Sequence, residues 1–204
     1  MSKTSEFFNS YSKKYDKKTI SKYFKKKHNV LINNLDDING KIVIDVGCGR
    51  GLLNTMLYST YPDTAFYGID ISSQMIDYAK KNSKGHYCVG NVENIPYENN
   101  KFDIVLNTLS FHHYESPIKA LIEMKRILKH GGKIYILDSL RENSLFNPMP
   151  KIWDILESKK CYTKHLNQCE FENAFNESGL RILNKKVFYS DFVKHVLYVL
   201  EEDK

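Results

Sequence analysis

Five short apolar runs punctuate the chain: residues 41–46 (KIVIDV), 65–70 (AFYGID), 86–90 (HYCVG), 102–107 (FDIVLN) and 133–138 (KIYILD). Each is rich in β-branched or aromatic residues and is bounded by turn formers, which predicts buried parallel strands. Between them the period changes. Over 116–130, Ile118, Leu121, Ile122 and Leu128 recur on one side while Lys119, Glu123, Arg126 and Lys129 fall elsewhere, so a helix is predicted, stopped by His130 and Gly131-Gly132. Strands alternating with such helices imply right-handed crossovers and a doubly wound, Rossmann-like α/β sheet. Ligands of these sheets bind beyond the carboxyl ends of the strands.

Past residue 139 the alternation ends. A loop around Asn147-Pro148-Met149-Pro150 precedes helices near 151–159 and 168–178, and two further runs, 181–189 and 192–200, are separated by only a few residues. That separation suits an antiparallel hairpin, giving seven strands in all, although the last run could also be written as a short helix. The expected organisation is one domain over 1–204: a helical lid over 1–35, a cofactor-binding core over 41–138, and substrate-side helices with the terminal hairpin over 139–204.

Composition narrows the function classes. No run approaches the length of a membrane span and the first residues lack an apolar leader core, so a cytoplasmic protein is expected. Cys48, Cys88, Cys161 and Cys169 are widely spaced and no His cluster has metal-ligand spacing, so thiols without a metal site are expected. The net charge is +6, of which residues 1–40 carry +5 through nine Lys and four acids. A basic segment can attract nucleic acid, but a solvated Lys-rich helix is the simpler account and is favoured. Nothing in the pattern assigns an oligomeric state.

The chemistry gathers at strand ends. The first strand runs into Asp45-Val46-Gly47-Cys48-Gly49-Arg50-Gly51, with Leu52 where a dinucleotide fold would place its third glycine. Nineteen residues past Gly51 the second strand ends at Asp70, placed to accept ribose hydroxyls, a geometry that serves NAD as well. The segment Asp45 to Gly51 resembles the first motif of class I S-adenosylmethionine-dependent methyltransferases. Gly68-Ile69-Asp70-Ile71-Ser72, followed by Met75, is similar to that family's second motif; Gly90-Asn91-Val92-Glu93-Asn94-Ile95-Pro96-Tyr97 is similar to its third, with Asn91 where Asp is usual. Asn107-Thr108-Leu109-Ser110-Phe111-His112-His113 and Arg126-Ile127-Leu128-Lys129-His130-Gly131-Gly132 resemble segments of its small-molecule branch, and Phe8 to Asp16 resembles the lead-in of ubiquinone-biosynthesis-type members.

The resemblance implies S-adenosylmethionine as cofactor, S-adenosylhomocysteine as product, and a small-molecule methyl acceptor. It implies cofactor contacts from Asp45, Gly47, Cys48, Gly49, Gly51, Asp70, Ile71, Met75, Asn91, Val92, Glu93 and Asn107, with Tyr15 near the methionine carboxylate or the acceptor. His112 and His113 fall at the carboxyl edge of the sheet, where a base could take the acceptor's proton; equally, one could pack in the core and the other close over the methionine moiety. An RNA or protein methyltransferase and a non-catalytic S-adenosylmethionine-binding protein remain as alternatives, the former weakened by the absence of N-P-P-Y after the fourth strand.

Overall fold

The computed structural model describes residues 2–12, 18–142 and 148–203. Its centre is a seven-stranded sheet built from β1 (Ile42–Val46), β2 (Ala65–Asp70), β3 (His86–Val89), β4 (Phe102–Thr108), β5 (Leu128–Ser139), β6 (Leu180–Ser190) and β7 (Val193–Glu202). Their order is β3-β2-β1-β4-β5-β7-β6. β1 to β5 pair in parallel, and β7 runs antiparallel to both β5 and β6. The final run is therefore a strand, and the doubly wound sheet with its terminal hairpin is as the pattern predicts.

Neighbouring residues of one strand serve opposite layers, as the two-residue period of a pleated strand requires. Ile44, Val105 and Ile136 pack with Phe111, Leu121, Phe171 and Phe175 on one face. Val43, Leu106 and Leu137 pack with Leu31, Leu53 and Leu57 on the other. The first layer is covered by α5 (Pro117–Ile127) and α7 (Gln168–Glu177), the second by α2 (Lys18–Ile32) and α3 (Leu52–Tyr58). The remaining helices are α1 (Lys3–Tyr11), α4 (Ser73–Asn82) and α6 (Met149–Glu157). No described helix is long and apolar enough to cross a membrane.

The helix predicted over 116–130 ends sooner. Asn100 and Lys101 donate their N–H groups to the carbonyls of Arg126 and Ile127, at 3.0 and 2.9 Å, capping α5 from outside. Leu128 is then extended, buried, and paired with Phe102. Tertiary pairing thus outbids helix propensity over the last turn.

The chain leaves β1 toward one edge and returns at β4 toward the other, so the carboxyl ends of β1 and β4 flank the crevice where such sheets hold ligands.

Candidate active site

β1 delivers Asp45 into the glycine loop. Gly47, Gly49 and Gly51 take φ of 76°, 51° and 73°, and a Cβ on Gly47 would lie 2.3 Å from Ser110 Oγ, so that position needs glycine both for its backbone and for its neighbour. The loop amides turn inward. Gly47 and Cys48 donate to the Ile69 carbonyl at 2.8 and 3.0 Å, Gly51 donates to the Cys48 carbonyl at 3.0 Å, and Gly49 donates to Asp70 Oδ2 at 2.9 Å. A pyrophosphate-binding turn keeps such amides for phosphate oxygens; here all four are spent, which does not suit a dinucleotide.

A cavity of about 260 Å³ opens over this loop, lined in part by Asp45, Gly47, Cys48, Gly49, Asp70, Ile71, Met75, Asn91, Val92, Glu93 and His113. Gly51 lies outside the lining as the N-cap of α3. Asn107 is fully buried behind Ser110 and Tyr114, and the two hydrogens of its Nδ2 are shared among the Ser110 hydroxyl at 2.8 Å, the Tyr114 hydroxyl at 2.7 Å and the Val46 carbonyl at 2.7 Å. Tyr15 lies outside the described residues. Asp70 accepts Gly49 N–H and, through Oδ1, Ser72 N–H at 2.9 Å; each oxygen keeps a further lone pair for a ligand hydroxyl. Asn91 Oδ1 accepts its own loop's Glu93 N–H at 3.0 Å, and Glu93 Oε1 accepts Ser116 N–H at 3.0 Å, so both side chains also brace the loops they belong to.

Two buried groups of this cavity lack partners among the described residues. Asp45 is 1% exposed and its Oδ1 accepts no hydrogen bond; burial, and then the charge of Asp70, push its pKa up to about 8. His28, on α2, lines the same cavity. Its Nε2 meets Thr108 Oγ1 at 3.2 Å, its Nδ1 has no partner, and burial pulls its pKa down to about 4. An orphaned carboxylate and an orphaned imidazole nitrogen in one cleft fit an ammonium and a carboxylate. Sequence reasoning missed His28, which is far from Thr108 along the chain and carries no local motif. It also assigned no role to Ser110 or Tyr114, although both stand in or beside the motif after β4.

A second cavity, about 380 Å³, adjoins the first through the shared residues Phe8, Phe24, Leu109 and His113. Six rings line it, from Phe7, Phe8, Tyr11, Tyr23, Phe24 and Trp153, with His112, His165 and Glu157 among its polar lining. The two histidines named from the sequence separate here. His112 holds Asp138 through Nδ1 at 2.8 Å and through its backbone N–H at 3.0 Å. Burial lowers the His112 pKa, but the charge and hydrogen bond of Asp138 outweigh it and the net shift is upward. For Asp138, burial acts upward, but the charge and hydrogen bond of His112 prevail and hold the carboxyl at about 2. His113 donates Nδ1–H to the Tyr162 carbonyl at 2.9 Å; burial, then the neighbouring His112 charge, pull its pKa to about 3. His113 thus stays neutral near pH 7.

His165, remote in sequence, stacks on His112 with ring centroids 4.1 Å apart, so one ligand atom each from His112, Asp138 and His165 lies within 4.8 Å of the others. This convergence was invisible to spacing along the chain. The described cysteines are all free thiols; Cys48 is buried in the first cavity, and its pKa is raised well above the ordinary value by burial, which makes the thiol unreactive.

Residues 44–136 match the methyltransferase domain family. The chain is 27% identical over 165 residues to the malonyl-[acyl-carrier protein] O-methyltransferase of Hahella chejuensis, covering 79% of this chain and 58% of that one. It is 30% identical over 109 residues to the demethylmenaquinone methyltransferase of Thermotoga maritima, covering 53% and 48% respectively. Over residues 44–136, a little under half of its length, the chain is similar to class I S-adenosylmethionine-dependent methyltransferases. It spans only about half the length of these two curated relatives.

Solved methyltransferases share the fold. The methyltransferase solved in complex with the Haloferax volcanii Trm112 activator superimposes with a TM-score of 0.82 over 97% of this chain and 98% of that one, at 18% identity. The geranyl diphosphate C-methyltransferase of Streptomyces coelicolor, solved with S-adenosylhomocysteine, gives 0.72 over 90% and 80%, at 15% identity. The cofactor of that family is S-adenosylmethionine, and the first cavity sets two carboxyl groups, Asp45 and Asp70, beside a glycine loop whose amides are already satisfied.

Proposed function

We propose that the protein transfers a methyl group from S-adenosylmethionine to a small molecule seated in the second cavity. The observation that carries this reading is the adjacency of two cavities, one with unpartnered groups suited to an amino acid cofactor and the other ring-lined with a His–Asp dyad. The cofactor, when bound, supplies an electrophilic methyl on a sulfonium, so the protein's task is alignment and proton handling. Asp70 accepts the ribose hydroxyls, Met75 and Val92 flank the adenine, Asp45 faces the methionine ammonium, and His28 Nδ1–H donates to the methionine carboxylate. His112, oriented by Asp138, takes the acceptor's proton.

Residues 1–35 act as the lid. α1 is tied to the strand ends by Ser5 Oγ donating to the Ile71 carbonyl at 3.1 Å, by Ser72 Oγ donating to Asn9 Oδ1 at 2.7 Å, and by Ser12 Oγ donating to Gln74 Oε1 at 2.9 Å. Phe8 meets His113 edge-on at 4.9 Å. The basic stretch is partly neutralised from within, since Lys26 and Lys27 pair with Asp191 of the β6–β7 turn, which supports a covering element over a nucleic-acid arm.

A thermal-shift panel with S-adenosylmethionine, S-adenosylhomocysteine and NAD tests the reading. The first two should raise the melting temperature and NAD should not, and mass spectrometry of acceptor mixtures should then show gains of one methyl. Stabilisation by NAD alone would reject it.

A further inference from the structure

The second cavity sets unpartnered acceptors, on His165 and Glu157, in a lining that holds no Lys or Arg among the described residues. His165 is 2% exposed and its Nδ1 meets Asp154 Oδ1 at 2.6 Å; because a carboxylate only accepts, the proton sits on Nδ1 and Nε2 carries a bare lone pair. That nitrogen, in the cavity lining, has no partner among the described residues. His112 is held the same way by Asp138, leaving its Nε2 to the cavity. Glu157, half-buried in the same wall, makes no side-chain hydrogen bond to a described residue.

Charge points the same way. Asp138, Asp154 and Glu157 surround two imidazoles, and no Lys or Arg is among the described lining residues. A carboxylate acceptor would bring lone pairs to lone pairs and a negative charge to an acidic wall. A hydroxyl would bring a single donor. A protonated amine brings up to three donors and a positive charge, which suit the lone pairs and the acidic wall.

Resting on the methyl-transfer reading above, we propose that the acceptor is a primary or secondary amine on an apolar or aromatic body, with its ammonium held by Glu157 and His165. His112 Nε2 takes one ammonium proton. The nitrogen lone pair so released forms the N–C bond to the methyl as the S–C bond breaks, with that electron pair staying on sulfur as a neutral thioether. The methylated ammonium carries the positive charge, and His112 returns its proton to water. A divalent metal in the same cluster is disfavoured by the dyad, because Asp138 already accepts both N–H groups of His112 and the Ser139 N–H.

The test is calorimetric binding of phenethylamine, tryptamine, 4-ethylphenol and 3-phenylpropionate to the parent and to Glu157→Gln, with and without S-adenosylhomocysteine, alongside zinc binding to the parent and to His165→Gln. The amines should bind and the acid should not. Glu157→Gln should weaken the amines about tenfold and leave S-adenosylhomocysteine affinity unchanged. Stronger binding of the phenol or the acid, no amine binding, equal amine affinity in Glu157→Gln, or zinc binding that His165→Gln abolishes would each overturn the proposal. A parent that binds amines but not S-adenosylhomocysteine would defeat the cofactor reading and leave the amine site standing.

Discussion

At the residue scale, Asp45 should make the protein pH-sensitive in a direction opposite to that of a salt-bridged acid. Burial, and then the charge of Asp70, push its pKa up to about 8, far above the ordinary carboxyl value of about 4. Between those values the native state keeps a proton that the unfolded chain has lost, so its contribution to stability is complete below the unfolded value and falls as pH rises toward 8. A cation bound beside it expels that proton. Affinity for S-adenosylmethionine should therefore climb between pH 6 and 8, by at most about tenfold per unit for one linked proton, and Asp45→Asn should flatten the slope; an unchanged slope in calorimetry at three pH values would remove Asp45 from the site. His28→Leu should weaken S-adenosylhomocysteine by about 1.5–3 kcal/mol, the range for hydrogen bonds to charged groups, and leave 5′-methylthioadenosine, which lacks the amino acid end, unaffected. Equal losses for both ligands would place His28 elsewhere. For the base, His112→Gln should lower kcat about a hundredfold or more with little change in cofactor affinity, and His113→Gln should keep the pH profile of the parent. Of these residues, Asp45, Asp70 and the histidine pair were legible because they sit in short motifs at strand ends. His28, Asp154, Glu157 and His165 were not, since they reach the site from helices and loops whose local pattern records burial and not destination.

At the element scale, α1 reaches its cover through a few polar ties and Phe8, in place of a broad apolar seam. Such elements open at low free energy. Amide exchange of Lys3–Tyr11 should therefore be fast in the empty protein and slow with S-adenosylhomocysteine, and Asn9→Ala should speed it without an appreciable change in melting temperature. Exchange that is indifferent to the ligand would make α1 a fixed wall. The strands were readable because buried runs of β-branched residues between turn formers have few alternatives. The end of α5 was not, because its last carbonyls are capped by Asn100 and Lys101, a long-range pairing that leaves no mark in the helix's own sequence. The β6–β7 hairpin was legible as two runs too close together for a helical crossover.

At the scale of the whole molecule, the sheet order brings the carboxyl ends of β1, β2 and β4 to one crevice, and α1, α2 and α6 close it into two joined cavities. The division of labour follows: the core around the glycine loop reads as a cofactor site from sequence alone, while the acceptor side is assembled from both ends of the chain and is read only in three dimensions. Asp70, proposed to accept the ribose hydroxyls, also holds the Gly49 amide, so its loss should damage the site twice. Titration calorimetry of S-adenosylhomocysteine into the parent and into Asp70→Ala measures this directly. One-to-one binding by the parent, weakened by at least about 1.5–3 kcal/mol in the variant, is the predicted result; equal affinity in the two proteins, or no binding by a folded parent, would contradict it.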